Sequence, residues 1–242
     1  FAYRTLRVQE DLKRIALYAD RPKQSVLISG STGLIGMQLT AFLQAAGHEV
    51  TRLVRPSTKL PSDVPHEPCV VWNDQTGEVL EGSMEGFDTV IHLAGAGIGD
   101  KRWNAQRKAL IESSRTVPTE KLVHLFSQLE QPPKTFLCGS AVGIYGNRGD
   151  EELTEDSAPG DNFLATTCLN WEAAGAAAKD AGIRTAWIRT GIVTTPMGGA
   201  LQKLLLPAQL GAGGPAGGGR QYYSWISLDD QIYATYHLMM NE

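Results

Sequence analysis

An α/β fold built on a doubly wound parallel sheet is predicted by three features of the sequence. Short, apolar, β-branched runs alternate along most of the chain with longer stretches whose apolar residues share one helical face. The runs are apolar throughout rather than every second residue, as strands covered on both faces require. A glycine-rich turn joins the first run to the first amphipathic stretch.

The elements follow in order. Thr5–Tyr18 carries Leu6, Val8, Leu12, Ile15 and Leu17 among charges and reads as a helix, with Asp20-Arg21-Pro22-Lys23 as a linker behind it. Residues 1–24 therefore read as a tail from a preceding domain, and the start at Phe1 suggests a fragment. Ser25–Ser29 is the first strand. Ile35, Leu39, Phe42, Leu43 and Ala46 then fall on one helical face, and Gly47 stops that helix. Glu49–Val54, Cys69–Trp72 and Phe87–Leu93 are expected as the next three strands. Residues 104–128 read as helix with a kink or new turn at Pro118, Lys134–Cys138 as a fifth strand, and Phe163–Asp180 as helix. Arg184–Ile188 is the sixth strand and Asp229–Met240 a closing helix, with Asp229 and Asp230 as its N-terminal cap. Gly211–Gly219, with six glycines in nine residues, reads as a loop.

Composition narrows the functions. The 242 residues fit one large domain or one and a half. Lys and Arg total 22 against 26 Asp and Glu, a formal charge of −4, which offers no cationic surplus for a nucleic-acid backbone. No apolar run is long enough to span a bilayer. Cys69, Cys138 and Cys168 are too widely spaced for a disulfide framework or a zinc site, so three reduced thiols, a cytoplasmic setting and no metal are expected.

The turn after the first strand reads Gly30-Ser31-Thr32-Gly33-Leu34-Ile35-Gly36. Gly30 permits a tight turn, Gly33 lets backbone approach a diphosphate, and Gly36 lets helix and strand pack closely. The helix N-terminus adds unpaired N–H groups and a positive dipole. This is the dinucleotide pattern of a Rossmann sheet, the alternative being a plain glycine turn; no Gly-Lys-Ser/Thr follows to suggest a nucleoside-triphosphate loop.

The end of the second strand selects the coenzyme. An NAD site places Asp or Glu about 20 residues past the motif, on the ribose 2′-hydroxyl. Nineteen residues past Gly36 stands Arg55, whose guanidinium suits a 2′-phosphate. NADP(H) is therefore expected over NAD(H), the alternative being a solvated arginine at a strand end. Arg52 competes for the role, but strand alternation puts it on the opposite face.

The turn, together with Val90-Ile91-His92-Leu93-Ala94-Gly95, resembles the extended short-chain dehydrogenase/reductases. Ala96-Gly97-Ile98-Gly99-Asp100-Lys101-Arg102-Trp103, Gly139-Ser140-Ala141-Val142-Gly143-Ile144-Tyr145-Gly146, Asn170-Trp171-Glu172 and Gly219-Arg220-Gln221-Tyr222-Tyr223-Ser224-Trp225-Ile226 sharpen the match. Over about residues 25–242 the chain resembles the atypical branch of NAD(P)-dependent epimerase-like proteins, the nucleoside-diphosphate-sugar epimerases of the SulA type. The resemblance implies a Rossmann domain over 25–242, with a small substrate lobe at about 194–228 that is expected to be incomplete. It also implies a START-like domain fused upstream. Leu93, Ala94 and Gly95 would meet the adenosine half of the coenzyme. His92 reads as a core histidine.

Active members of that superfamily use a serine or threonine with a Tyr-x-x-x-Lys pair, the lysine making a phenolate accessible near neutral pH. The resemblance places Ser140 at the serine position, with one residue of register open. It puts Leu164 and Cys168 where the tyrosine and lysine stand, and Arg115 where a supporting asparagine stands. Tyr145 is expected to be mainly structural. Lys101, Arg102, Arg189 and Arg220 are candidate contacts for an anionic group of a small-molecule substrate, the first two having a solvated loop as the equal alternative. Trp103 either caps an apolar core or stacks on a ring. Two functions stay open: an NADP(H)-dependent oxidoreductase or epimerase, and a coenzyme-binding sensor or scaffold with little catalysis.

Overall fold

The computed structural model describes residues 2–60, 67–211, 213–214 and 218–241. Parts of the Gly211–Gly219 loop expected above lie outside the described residues. The helices are α1 (Ala2–Ala16), α2 (Leu34–Ala45), α3 (Ala105–Phe126), α4 (Phe163–Asp180), α5 (Gly199–Gln209) and α6 (Leu228–Met240). The strands are β1 (Ser25–Ser29), β2 (Glu49–Val54), β3 (Cys69–Trp72), β4 (Val79–Glu81), β5 (Thr89–His92), β6 (Thr135–Ala141), β7 (Arg184–Thr190), β8 (Ile192–Thr195) and β9 (Trp225–Ser227).

Seven strands form one sheet in the order β4-β3-β2-β1-β5-β6-β7. All neighbours run parallel except β3 and β4. The order reverses at β1, whose two neighbours are β2 and β5, so a crevice opens beyond the carboxyl ends of β1 and β5.

Alternation along each strand divides the core into two layers. Val26, Ile28, Ile91 and Leu137 face α2 and α6, packing with Leu39, Leu43, Ile232 and Tyr236. Leu27, Val90, Phe136 and Cys138 face α3 and α4, packing with Leu122, Phe126 and Trp171. Each fully buried aliphatic or aromatic side chain contributes about 1.5–3 kcal/mol. Both faces of the sheet are covered, which is why the strands carry continuous apolar runs.

Several features differ from the sequence expectation. β4 is an antiparallel edge strand of three residues, partly exposed. α5, β8 and β9 appear within the expected small lobe, with β8 and β9 paired in a separate two-stranded sheet. Pro118 sits inside one continuous helix. The cap of α6 is Ser227, whose Oγ accepts from the Asp230 N–H at 3.0 Å, rather than either aspartate. Helix α1 packs on α6: Arg7 pairs with Asp229, and Tyr233 Oη donates to Asp11 Oδ1 at 2.8 Å.

Candidate functional site

The turn after β1 is built on backbone. Gly30 has φ +70°, and a Cβ there would lie 2.7 Å from the Leu93 carbonyl carbon and 2.9 Å from the Ala94 nitrogen. The chain can therefore cross the end of β5 only as glycine. The Gly33 N–H donates to the Gly30 carbonyl at 2.9 Å and closes the turn. Gly33 then caps α2 with no side-chain hydrogen bond. A Cβ on Gly36 would collide with the Gly30 carbonyl oxygen and lie 2.8 Å from Ser31 Cα. Ser31 is buried and Thr32 exposed.

A cavity of about 410 Å³ opens at this turn, between Gly33 and Leu34 on one side, Leu93 and Ile98 in the loop after β5, and Val193 of β8 and Ala200 of α5. Its floor is a helix N-terminus without a side-chain cap, the arrangement that receives an anionic diphosphate. The residues present fit that group: Gly30, Gly33 and Gly36 all line the cavity, so bare backbone faces it there.

The two arginines of the β2 region part company. Arg52 is buried; its Nη1 donates to the Ser31 carbonyl at 2.7 Å and its Nε bonds the Glu67 carboxylate. Gln44 Nε2 also donates to Glu67, at 3.1 Å. The Arg52 and Gln44 bonds hold the Glu67 carboxyl below the ordinary range. The Arg55 side chain is 62% exposed, with Asp74 Oδ2 3.8 Å from its Nη1.

Ser140, at the end of β6, is buried and its Oγ donates to Glu172 Oε1 at 2.6 Å. Arg189 on β7 grips the same carboxylate with Nε and Nη2, both at 2.9 Å. Its Nη1 donates to Tyr145 Oη at 2.8 Å and to the Glu155 carbonyl at 2.9 Å. These bonds, Glu172 foremost, hold the guanidinium still more firmly protonated than usual. Ser140 is thus brought together with Glu172, Arg189 and Tyr145. Leu164 instead lies beside Gly143, two helical turns from Glu172, a distance of about 12 Å along the axis. Burial pushes the Cys168 thiol up, away from thiolate chemistry.

The loop after β5 is held by its carbonyls. Arg115 Nη2 donates to Ala96 O at 3.0 Å, Arg107 to Gly97 O, Trp103 Nε1 to Ile98 O at 2.9 Å, and Lys203 of α5 to Gly99 O. Sequence reading missed Arg107 and Lys203 as donors and the Glu172 carboxylate as an acceptor, because their partners lie well apart in sequence. Trp103 stands edge-on to Phe163. Lys101, Arg102 and Arg220 are exposed. Arg115 is buried under Trp171, where burial lowers its pKa. His92 is fully buried beneath the turn, its Nδ1 2.6 Å from Ser29 Oγ, and burial lowers its pKa to about 4. Among the described residues no cluster of three His, Cys, Asp or Glu side chains could hold a metal, and no helix is long and apolar enough to cross a membrane.

Comparison with known proteins gives a consistent picture. The model of the NAD dependent epimerase/dehydratase family matches residues 26–242. An epimerase family protein of Mycobacterium tuberculosis is 39% identical over 209 residues, which is 86% of this chain and 67% of that protein. The crystal structure of a nucleoside-diphosphate sugar epimerase from Corynebacterium glutamicum superposes with a TM-score of 0.83 at 40% identity, covering 100% of this chain and 50% of that one. The crystal structure of human epimerase family protein SDR39U1 with NADPH superposes at 0.75 and 32% identity, covering 89% of this chain and 70% of that one. The chain thus spans half of the Corynebacterium protein and about two thirds of the mycobacterial one.

Proposed function

Because the chain belongs to the NAD dependent epimerase/dehydratase family, we propose that it is an NADP(H)-binding, epimerase-like oxidoreductase of the short-chain dehydrogenase/reductase superfamily. Its substrate would be a nucleotide-sugar or another small polar carbonyl or hydroxyl compound. The observation that carries this reading is the cradle at Gly30–Gly36, where an uncapped helix N-terminus faces a cavity bounded by Leu93 and the small lobe. The human relative, whose structure contains NADPH, supports the same coenzyme.

In this reading the N–H groups of Thr32 and of Leu34–Gly36 receive the diphosphate, and Leu93, Ala94 and Gly95 bound the adenosine half. The exposed Arg55 guanidinium takes the 2′-phosphate. NAD(H), without that phosphate, is the weaker ligand. Lys101, Arg102 and Arg220 are exposed and offer cations to an anionic substrate. Arg189 would serve that end only by releasing part of its contact with Glu172. Ser140 would orient a substrate oxygen. The bound coenzyme supplies hydride exchange.

A second reading, a coenzyme-binding sensor or scaffold, is favoured by the sequence of α4, where the resemblance puts Leu164 and Cys168 in place of the tyrosine and lysine. Fluorescence titration with NADPH and NADH, followed by NADPH oxidation against a panel of carbonyl compounds, separates the two. Tight binding with turnover supports the enzyme, and tight binding without turnover on any compound supports the sensor. No binding of either coenzyme overturns both.

A further inference from the structure

We propose that Arg52 is a positioning residue that braces the diphosphate-binding turn, and that coenzyme choice is left to Arg55. The proposal rests on the coenzyme reading above. The guanidinium of Arg52 ties three parts of the chain together: it stands on β2, donates to the Ser31 carbonyl within the turn, and meets Glu67 just before β3. Gln44 of α2 closes the same knot through Glu67.

The physical consequence lies in the peptide that follows. In a planar trans peptide the carbonyl and the next N–H point in opposite directions. Holding the Ser31 carbonyl on Arg52 therefore turns the Thr32 N–H away from β2. Among the described residues that N–H has no acceptor. Arg52 thus decides whether the first donor of the cradle is held in place or swings. Its remaining charge is matched by Glu67 and it is buried, so it is poorly placed to receive a second anion. Arg55 has the converse character, being exposed and only loosely approached by Asp74. Every dinucleotide coenzyme shares the diphosphate, whereas only NADP(H) carries the 2′-phosphate. The two arginines should therefore fail differently.

Calorimetric titration of the whole chain with NADPH and with NADH tests this, using Arg52→Gln, Arg52→Lys and Arg55→Gln. Arg52→Gln should raise both dissociation constants by about tenfold, the loss expected for one charge-assisted hydrogen bond, and leave their ratio within about twofold of wild type. Arg52→Lys keeps a cation for Glu67 but lacks the second prong for Ser31. It should show the same unselective loss, and it decides the matter if the glutamine variant does not fold. Arg55→Gln should weaken NADPH alone. In both Arg52 variants the Gly33 amide, bonded to the Gly30 carbonyl, should exchange hydrogen faster than in wild type. A loss confined to NADPH would make Arg52 a 2′-phosphate ligand and overturn the proposal, as would unchanged affinity for both coenzymes. If wild type binds neither coenzyme, the coenzyme reading fails by itself. Amide exchange then judges the brace, and unchanged protection at the Gly33 amide overturns it.

Discussion

Ser140 Oγ and Arg189 Nε converge on a single oxygen, Glu172 Oε1, at 2.6 and 2.9 Å. The serine is the last residue but one of β6, the arginine lies on β7 and the acid on α4. One carboxylate therefore fastens a helix to two strands, and the serine hydrogen is already committed to it. Ser140 can offer a ligand only its lone pairs while that bond holds.

Replacing Glu172 by glutamine should lower stability by about 2 kcal/mol, because the paired Arg189 would lose its counter-charge in a half-buried site. Urea unfolding measures the change. A double-mutant cycle with Arg189→Met should show coupling between the two positions, whereas additive losses would mean the pair is not the source.

Ser140→Ala separates architecture from chemistry. If Ser140 turns its hydrogen from Glu172 to the substrate oxygen, turnover on any carbonyl compound that the protein reduces should fall by at least about tenfold in the alanine variant, with the NADPH dissociation constant unchanged. Unchanged turnover would leave Ser140 as a fastening for Glu172 only.

Arg55→Glu places a carboxylate where the 2′-phosphate is expected. NADPH affinity should fall much more than NADH affinity, and raising the salt concentration should shrink the difference, since the site is exposed. Equal losses for both coenzymes in a fluorescence titration would count against the assignment.

Gly36→Ala would drive a methyl group into the Gly30 carbonyl, which is backbone and cannot step aside as a side chain can. We expect a loss of about 3 kcal/mol together with loss of NADPH binding. Retained affinity in calorimetry would show that the turn can relax outward.

Acid should weaken the fold through its buried histidines. His48 and His92 are both lowered to about 4 by burial, against 6.5 for a free imidazole. Between those values the unfolded chain binds more protons than the folded one, so stability is full above pH 6.5 and declines as pH falls towards 4. For the fully buried His92 the loss approaches about 3 kcal/mol. Urea midpoints recorded across this range should fall with pH, and His92→Gln should flatten the slope.

The sequence made the sheet legible because burial on both faces leaves whole apolar runs, as in Ser25–Ser29 and Thr89–His92. What escaped were elements without that burial. Val79–Glu81 is a partly exposed edge of three residues, and none of the residues of α5 is buried. Only Gly191 separates β8 from β7, so the two merge in a reading by hydropathy. The glycine turn was legible since its chemistry depends on local spacing. The Ser140 contact was not: Glu172 lies 32 residues away. Ser140 itself lies on the α4 side of β6, where it meets Glu172, with Cys138 two residues before it facing the same layer.

The parallel pairing of β8 with β9 brings Thr194 level with Ser227. The chain consequently leaves this clasp after Thr195 and rejoins it at Trp225, at opposite ends of the two paired strands. A segment held by such a clasp can change length at its exposed tip at little cost to the seven-stranded sheet, while Lys203 keeps α5 on the loop after β5. That clasp is where one inherited scaffold can diversify what it recognises, leaving the rest of the architecture alone.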